Sequence, residues 1–389
     1  MAGIIIPIIL PCMPPLTWVE VDLAAIRNNL RRMKALTGTR VMAVVKANAY
    51  GHGAEAVSQA AVEAGADWLG VARAPEGVAL RASGLGLPTL VLGYTPPDQA
   101  AEALGHGLSL AVFDLDTAQA YAASARGLGL AARLHVKVDS GMGRLGVLPE
   151  AAPDFVRAVG DLEGAQVAGI FTHFAGSDLA DPRSAFQQLA RFETALGALT
   201  ASGHRPPLVH AANSAAAFVL PAARYDMVRM GIALYGLAPS GDVPCPPGFA
   251  PALAWNATVA QVKTLPPGHG VSYGGEYITP ETETVAVIPV GYADGYRRTP
   301  KNVNEILIHG QRARVRGRVC MDQIVVGVSH IPGVRVGDEV ALVGQQGQAV
   351  MSADDVAQRW GTINYDVTSG ILARVVRIYK GGGGDNGRF

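Results

Sequence analysis

The strongest constraint on the fold is a repeated alternation of short apolar segments and Ala-rich helical segments. Strand-like segments begin near residues 41 (VMAVV), 68 (WLGVA), 89 (TLVLG), 108 (LSLAVF), 133 (RLHVKV), 166 (QVAGIF), 208 (LVHA) and 227 (MVRM). Helical segments such as EAVSQAAVEAG and TAQAYAASARG lie between them. Continuous apolar strands that alternate with helices predict a parallel sheet covered by helices. Eight such units in about 200 residues predict an α/β fold with an N-terminal (β/α)8 barrel, and an open doubly wound sheet is the alternative.

The pattern changes near residue 240, which predicts a second domain. PSGDVPCPPGFAPAL is dense in Pro and Gly, as is typical of a linker. Beyond it, strand-like segments such as TVAVIPV and GDEVALVG follow one another with few helices, among them SADDVAQRWG. We therefore expect a TIM-like barrel at residues 17–240, opened by the strand TWVEVDL, and a mostly β C-terminal domain at 241–380. Residues 1–16 and 381–389 are expected to be flexible ends.

The balance of charges argues against nucleic acid or an anionic membrane as the partner. Lys and Arg total 32, as do Asp and Glu, so a small-molecule ligand is the more natural expectation. The apolar segment IIIPIIL has no Lys or Arg before it, is broken by Pro7 and is far shorter than the ~20 residues of a membrane span. Cys12, Cys245 and Cys320 form no CxxC pair, which fits a reducing, cytoplasmic compartment.

Lys46 ends the first barrel strand, in the segment VVKANAYGHG. Catalytic groups of a parallel barrel lie at the carboxyl ends of its strands, which places this amine at the catalytic rim. An apolar environment lowers the pKa of a lysine and makes its amine a nucleophile toward an aldehyde, with which it forms a Schiff base. A structural ion pair at the rim is the alternative interpretation.

The segment KVDSGMGRLG contains a GxGxxG pattern at Gly141, Gly143 and Gly146, which is the fingerprint of dinucleotide binding. The fingerprint normally follows the first strand of its fold, whereas this one follows the fifth. Asp139 immediately precedes the loop, where its charge opposes a pyrophosphate. A nicotinamide-dependent dehydrogenase is therefore an alternative function that these two observations disfavour.

Polar residues after the later strands are candidates for binding a phosphate and for acid–base chemistry. Ser214 follows a strand and opens a helix, and Gly231 permits close approach of the backbone to an anion. His173 and His210 also end strands, although a lone histidine is more often a hydrogen-bonded core residue. No HExxH motif, CxxC pair or cluster of acidic ligands occurs in the sequence, so we expect no bound metal.

Several segments in register resemble the alanine racemases: AVVKANAYGHG, KVDSGMGRLG, THFA, HAANSAA, VRMGIALYG, VSYGG, IPVGYADGYRR, GRVCMDQ and TINYD. The resemblance extends from about Thr17 to about Tyr379. It implies the two-domain fold described above and a head-to-tail homodimer whose active site is shared between subunits. It also implies pyridoxal 5′-phosphate as the cofactor and the interconversion of L-alanine and D-alanine, which supplies D-alanine for cell-wall peptidoglycan.

The resemblance assigns two bases that remove and return the proton at Cα. It implies that Lys46 forms the internal aldimine and serves the D-enantiomer, and that Tyr273 of VSYGG acts from the partner subunit on the L-enantiomer. Two bases on opposite faces of Cα are sufficient for racemisation. His173 and Arg229 match residues that are linked to this tyrosine by hydrogen bonds. Arg229 also matches the arginine that faces the pyridine nitrogen, which it keeps unprotonated because a guanidinium does not give up its proton.

The remaining residues of the motifs match positions around the cofactor and the substrate. Beside Lys46, His173 and Arg229, the residues matched to cofactor binding are Tyr50, Arg144, Asn213, Ser214, Gly231, Ile232 and Tyr365. Those matched to substrate binding are Arg144 and Met321, the latter through its backbone amide from the partner chain. Those matched to supporting positions are Lys137, His210, Tyr292, Arg318 and Asp322. Lys137 matches a lysine that is often carbamylated, and a carbamate would give Arg144 a negative partner.

Two departures accompany the resemblance, and three further alternatives remain beside the dehydrogenase. The extension before Thr17 has no counterpart in the family. The family commonly has a cysteine at the position of Ser369 or Gly370, in a segment close to the substrate. A racemase of broader specificity, acting on serine, lysine or arginine, shares nearly every motif. A decarboxylase of basic amino acids has a similar architecture but carries a Gly-rich phosphate loop and a CDG-like cysteine context, whereas Cys320 lies in VCMDQ. A non-catalytic pyridoxal-phosphate carrier lacks the β domain and the tyrosine of VSYGG.

Overall fold

The structure, a computed structural model, describes residues 14–299 and 303–381. These residues form two compact units. One is Leu23–Ala252, and the other joins the strand before Leu23 to the chain from Leu253 onward. Most of the two expected flexible ends, residues 1–13 and 382–389, lies outside the described residues.

The first strand, β1 (Thr17–Asp22), corrects the expected domain boundary at residue 17. It pairs antiparallel with Leu253–Thr258 and parallel with Val376–Lys380, so it belongs to the second unit and not to the barrel. Both edges of β1 are thereby paired in one sheet, and Trp255 Nε1 donates to Thr17 Oγ1 at 3.0 Å. The barrel unit extends through the Pro- and Gly-rich segment to Ala252, beyond the expected end at 240.

The barrel unit contains a sheet of eight strands, all parallel, as the sequence predicted. They are β2 (Arg40–Val44), β3 (Trp68–Val71), β4 (Thr89–Val91), β5 (Ser109–Val112), β6 (Ala132–Lys137), β7 (Ala165–Phe171), β8 (Val209–His210) and β9 (Met227–Met230). The order runs from β8 back along the chain to β2 and then to β9. Backbone bonds from Asp226 to Val209 and from Arg229 to Ala212 join β9 to β8 and nearly close the barrel. An open doubly wound sheet is thereby excluded.

One helix precedes the first barrel strand, and the other helices of this unit each follow a barrel strand. They are α1 (Leu23–Thr37), α2 (Ala54–Glu63), α3 (Ala74–Ala82), α4 (Pro97–Gly105), α5 (Leu115–Gly127), α6 (Ala152–Gly160), α7 (Arg183–Ala201) and α8 (Ser214–Val219). Helix α1 buries Leu23, Ile26, Leu30 and Met33, which is the apolar face that its helical spacing predicts. Two 3-10 turns, Pro221–Ala223 and Ile232–Tyr235, flank β9.

The second unit is mostly β, as expected. Its strands after β1 are β10 (Leu253–Thr258), β11 (Gln261–Leu265), β12 (Gly270–Val271), β13 (Tyr277–Ile278), β14 (Glu283–Ile288), β15 (Glu305–Ile308), β16 (Gln311–Arg314), β17 (Ile324–Gly327), β18 (Glu339–Gln346), β19 (Ala349–Met351) and β20 (Val376–Lys380). The largest sheet has the order β16-β15-β18-β10-β1-β20, with β19 paired to β18. Strands β11, β14 and β17 form a second sheet, and β12 and β13 form a hairpin.

Among the described residues of the second unit, two helices and two 3-10 turns accompany the strands. Helix α9 (Ala353–Trp360) is the predicted one, and Ser352 caps it by accepting the N–H of Asp355. Helix α10 (Asn364–Ser369) was not predicted. The turns are Tyr273–Gly275 and Tyr292–Asp294.

Candidate active site

Lys46 lies directly after β2, at the carboxyl ends of the barrel strands. The residue before it, Val45, still donates its N–H to Gly70 O in the neighbouring strand at 2.8 Å. Burial and then the charge of Arg144 lower the pKa of Lys46, while Glu76 raises it and Arg229 lowers it again, with a net decrease. More of this amine is therefore neutral at neutral pH than in a solvated lysine, and the neutral amine is the form that attacks a carbonyl.

The segment after Lys46 is a left-handed helical turn. The residues from Ala47 to Tyr50 all have φ between +52° and +53°. L-residues avoid this region because Cβ crowds the following carbonyl oxygen, at a cost of roughly 1–2 kcal/mol per residue. Glu76 Oε1 accepts the N–H of Ala47 at 2.7 Å and so holds the start of the turn. Strain of this kind clusters at functional sites, where the surrounding structure enforces it.

Arg229, in β9, is held by five acceptors in a buried position. Its Nη1 contacts O and Nδ1 of His210 at 2.9 and 3.1 Å. Its Nη2 contacts Thr172 O at 2.7 Å, Ala211 O at 2.9 Å and His173 Nδ1 at 3.2 Å. Burial lowers the pKa of Arg229, but carbonyl and imidazole acceptors on both Nη atoms favour the charged form. These bonds fix the guanidinium and use only its Nη hydrogens.

Arg229 also fixes the tautomers of the two predicted histidines. A guanidinium only donates, so His173 and His210 both accept at Nδ1 and carry their hydrogen at Nε2. Burial and then the charge of Arg229 lower the pKa of both rings well below the usual range. His210 Nε2 lies 3.0 Å from Nδ1 of His135, whose pKa burial lowers to about 3. All three rings are therefore neutral near pH 7, and His173 offers an Nε2–H donor.

Tyr50, Ser214 and Gly231 form a recess that suits a phosphate. The N–H groups of Gly231 and Ala233 donate to Ser214 Oγ at 2.9 and 3.3 Å. A Cβ added at Gly231 would lie only 2.8 Å from Tyr50 Oη, so any side chain there would displace the hydroxyl of Tyr50. Burial raises the pKa of Tyr50, which therefore stays a neutral hydroxyl donor. Asn213 lies beside the recess and caps α8 by accepting a backbone N–H at 2.9 Å.

Lys137 ends β6 as a second lysine of low exposure at the same rim. It is 7% exposed, and its Nζ lies 5.3 Å from the centre of the Phe171 ring. Burial and then the charge of Arg144 lower the pKa of Lys137 to about 8. A sizeable fraction of this amine is therefore neutral near pH 7.

The glycine loop after β6 binds its own carboxylate. Asp139 Oδ1 accepts the N–H groups of Gly141, Met142 and Gly143 at 2.8–3.0 Å, and Oδ2 accepts that of Arg144 at 3.0 Å. Burial alone would raise the pKa of Asp139, but these four hydrogen bonds lower it below its usual value. The loop amides are thus already committed to an anion, which argues against a pyrophosphate site and assigns the loop to positioning Arg144.

A second group of predicted residues lies in the C-terminal unit, in an open pocket. The pocket is lined by Ser272, Tyr273, Cys320, Met321, Asp322 and Gln323. Tyr273 is 66% exposed and Met321 is 52% exposed. Ser272 has φ +64° and ψ −171°, a region almost restricted to glycine, and its Oγ donates to Arg318 O at 2.6 Å. The phenol of Tyr273 therefore follows a strained residue that is anchored by a hydrogen bond.

Hydrogen bonds from neighbouring segments hold the chain that lines this pocket. The N–H of Tyr292 donates to Cys320 O at 3.1 Å, and that of Ala293 donates to Met321 O at 3.0 Å. Arg374 bridges two carboxylates, Asp294 Oδ1 at 2.6 Å and Asp322 Oδ1 at 2.7 Å. The segment that carries Met321 is thereby fixed to the turn Tyr292–Asp294.

Arg318 and Tyr365 complete the second group. Arg318 Nε donates to Glu276 Oε1 at 2.6 Å, across the turn that carries Tyr273. Tyr365 is half-buried in α10, and its carbonyl accepts the hydroxyl of Ser369 at 2.6 Å. Ser369, one of the two positions at which the resemblance leads us to expect a cysteine, therefore directs its hydroxyl back to its own helix.

The predicted site residues thus fall into two groups. The barrel unit carries Lys46, Tyr50, Lys137, Arg144, His173, His210, Asn213, Ser214, Arg229, Gly231 and Ile232. The second unit carries Tyr273, Tyr292, Arg318, Met321, Asp322 and Tyr365. Sequence reasoning did not find the contacts made by Glu76, His135 and Ser272. The one available signal was an acidic residue in the first turn of α3, directly after a barrel strand.

Neither a metal site nor a membrane-spanning helix is found in the part of the chain that the structure describes. Within residues 14–299 and 303–381, no three His, Cys, Asp or Glu side chains are grouped so that they could hold a metal ion. Among the described helices, none combines the length and the apolar character that crossing a membrane requires.

The fold and the barrel residues define a class, the (β/α)8 barrels with a lysine of lowered pKa at the carboxyl ends of their strands. Comparison with known proteins is more specific. Residues 21–239 match the family "Alanine racemase, N-terminal domain" and residues 252–379 match "Alanine racemase, C-terminal domain". The chain belongs to the alanine racemase family and is an isomerase.

Individual relatives agree over nearly the whole chain. The alanine racemase of Symbiobacterium thermophilum is 49% identical over 368 residues, which cover 94% of this chain and 97% of the relative. The crystal structure of alanine racemase from the D-cycloserine producer Streptomyces lavendulae has a TM-score of 0.91 at 38% identity, covering 95% of this chain and 98% of that one. The structure of the Bacillus anthracis enzyme with bound L-Ala-P has a TM-score of 0.90 at 36% identity, covering 96% and 97%.

Proposed function

We propose that this chain binds pyridoxal 5′-phosphate through Lys46 and interconverts L-alanine and D-alanine by proton transfer at Cα between two bases. The observation that carries the proposal is that the amine of Lys46 and the recess at Gly231 both adjoin the side chain of Tyr50. Lys46 Nζ lies 5.9 Å from the centre of the Tyr50 ring, and a Cβ at Gly231 would meet Tyr50 Oη. An amine of lowered pKa beside groups that can bind a phosphate is what this cofactor requires, and the Bacillus anthracis relative was solved with bound L-Ala-P. The cofactor, when bound, withdraws electrons from Cα and makes its proton removable.

Lys46 and the partner subunit's Tyr273 are the two bases of this proposal. Lys46 moves the proton on the face of Cα that belongs to the D-enantiomer, and Tyr273 moves it on the face of the L-enantiomer. A phenol acts as a base only where neighbours favour its phenolate. The Nε2–H of His173 supports this role, because the neutral ring donates from Nε2 while Arg229 occupies Nδ1.

Arg229 is proposed to limit side reactions at Cα, transamination above all. Its fixed guanidinium retains Nε–H for the pyridine nitrogen of the cofactor, with the Nη hydrogens already bonded. Because a guanidinium does not release its proton, Arg229 would keep a pyridine nitrogen bonded to it unprotonated and would so limit the negative charge that the ring could draw from Cα. Transamination is thereby disfavoured relative to return of the proton to Cα.

The remaining assignments concern the substrate and the recess. Arg144 and the partner's Met321 amide bind the substrate carboxylate, while Tyr50, Ser214, Gly231, Ile232 and Tyr365 bind the phosphate beside Asn213. Lys137 is carbamylated: its neutral amine adds to CO2 and releases one proton, and the resulting anion pairs with Arg144. The lowered pKa of Lys137, about 8, supports this step, because far more of the amine is neutral at neutral pH than in a solvated lysine. His210, Tyr292, Arg318 and Asp322 support these groups.

A homodimer follows from the place of Tyr273 in this reaction. The exposed aromatic and thioether side chains of Tyr273 and Met321 are the kind of surface that a subunit interface covers. We further propose a cytoplasmic enzyme that supplies D-alanine for cell-wall peptidoglycan. The paucity of cysteines and the absence of a CxxC pair support that compartment.

The test is a panel of amino acids analysed by chiral chromatography. The purified protein is loaded with the cofactor and incubated separately with L-alanine, L-serine, L-lysine and L-arginine, with Lys46→Ala as the control. Rapid formation of D-alanine, with slow turnover of the others, is the expected result. Comparable turnover of a larger amino acid would replace the alanine assignment by a broad-specificity racemase. Absence of any D-product with the cofactor bound would contradict racemisation and favour the decarboxylase.

A further inference from the structure

The left-handed turn Ala47–Tyr50 raises the question of what holds the backbone that carries Lys46. Residues in this conformation persist only where their surroundings enforce it. Lys46 Nζ ends a flexible side chain, so its position depends on the direction of the backbone on either side. The strand fixes the side before Lys46 through the bond from Val45 N–H to Gly70 O. The side after it needs a separate restraint.

The carboxylate of Glu76 supplies that restraint with both of its oxygens. Oε1 accepts the N–H of Ala47 at 2.7 Å. Oε2 accepts the N–H groups of Ala72 and Arg73 at 2.8 and 3.0 Å. Ala72 and Arg73 follow β3, so this one side chain joins the carboxyl ends of two adjacent barrel strands.

These contacts exceed what a helix cap requires. An acidic residue in the third position of a helix ordinarily reaches back to the N–H of the capping residue, which for α3 is Arg73. The bond to Ala47 adds nothing to α3, because Ala47 lies in a different loop. It acts on the backbone of the residue that follows Lys46.

Glu76 also differs in charge from the other groups around Lys46. Arg144 and Arg229 are basic, His173 is neutral, and Tyr50 presents its ring. Glu76 is the acidic group that raises the pKa of Lys46 against the effects of burial, Arg144 and Arg229.

We propose that Glu76 is a positioning residue of this enzyme, which fixes Lys46 by holding the left-handed turn through Ala47. The inference rests on the proposed role of Lys46 in binding the cofactor. The carboxylate contributes in two ways, through the geometry of its three backbone bonds and through its charge beside Lys46.

Three variants separate these contributions in the full-length, cofactor-loaded protein. Glu76→Gln keeps the shape but puts an NH2 group against backbone N–H donors and removes the charge. Glu76→Asp keeps the charge but is one methylene too short to reach both loops. Asp114→Asn is the matched control, because Asp114 caps α5 of the same barrel through Thr117 N–H at 2.8 Å and is not among the groups that shift the pKa of Lys46.

The readouts are the rate at which the cofactor is released, followed by its visible absorbance, and the pH midpoint of that absorbance. Glu76→Gln is expected to release the cofactor about tenfold faster, because a hydrogen bond to a charged group is lost. It is also expected to shift the midpoint to lower pH, because the negative charge near Lys46 is removed. Glu76→Asp is expected to release it faster with a midpoint close to that of the wild type. Asp114→Asn is expected to change the melting temperature but neither readout.

Wild-type release and midpoint in Glu76→Gln would overturn the inference, as would equal changes in Glu76→Gln and Asp114→Asn. If Glu76→Gln does not fold, unchanged release in Glu76→Asp overturns the inference by itself. A wild-type protein that binds no cofactor would instead contradict the proposed function, so the two failures are distinguishable.

Discussion

Replacing Arg229 by glutamine tests the most densely bonded side chain of the barrel group. The guanidinium meets five acceptors, three backbone carbonyls and two imidazole nitrogens. A glutamine amide has two hydrogens, so at least three of these acceptors lose their partner. At about 1 kcal/mol for each lost bond, the free energy of unfolding falls by about 3 kcal/mol. For a unit of this size, that corresponds to a decrease of about 6–12 °C in melting temperature.

The same substitution is expected to change the course of the reaction. Without a guanidinium that holds the pyridine nitrogen unprotonated, charge moves further into the ring and transamination competes with racemisation. The assay measures pyruvate and D-alanine formed from L-alanine in the same reaction, with Arg229→Lys as a control that keeps a positive charge. The expected result is more pyruvate per D-alanine in Arg229→Gln than in the wild type. An unchanged ratio would refute the role given to Arg229, and an unchanged melting temperature would refute the energetic argument.

Three further predictions concern other groups. The pKa of His135 is about 3 in the folded protein and near 6.5 in the unfolded chain. Between these pH values the unfolded chain therefore binds more protons than the folded protein. The contribution of this ring to the free energy of unfolding falls by about 1.4 kcal/mol per pH unit as the pH decreases through that window. Urea unfolding between pH 4 and 6.5 should show a shallower dependence in His135→Gln, and an identical slope would contradict the assignment. Gly231→Ala places Cβ 2.8 Å from Tyr50 Oη and should weaken cofactor binding about tenfold or more in an absorbance titration, whereas wild-type affinity would count against the recess. Tyr273→Phe should slow exchange of the Cα proton in D2O by roughly 10²–10⁴-fold from L-alanine and far less from D-alanine, and equal slowing would argue against two separate bases.

Local patterns in the sequence predicted most of the barrel. Each of its eight strands is a short apolar segment bounded by turns, and each was placed close to its observed position. Strand β1 was assigned to the wrong unit because the pairing that defines it is distant in sequence, as in the register of Thr17 with Ala257. No local pattern reports a partner so far along the chain.

The left-handed turn after Lys46 lay beyond sequence reasoning for a different reason. Ala47–Tyr50 contains no glycine, and only Asn48 is of a residue type that visits positive φ with any frequency, as a single residue and not over four in a row. The conformation depends on contacts from elsewhere in the chain, of which the bond to Glu76 is one.

The glycine loop after β6 is a second feature that the sequence could not settle. Its pattern resembles an anion-binding fingerprint, and only its hydrogen bonds show that Asp139 is the anion.

The measurement that tests the central claim most directly is the location of the cofactor on the chain. The rim offers two lysines of lowered pKa, Lys46 and Lys137, and only the first is proposed to bind it. The cofactor-loaded protein is reduced with borohydride, digested and mapped by mass spectrometry. A phosphopyridoxyl group on Lys46, with none on Lys137, is the predicted result. Attachment to Lys137, or to no lysine of a protein that racemises alanine, would contradict the account.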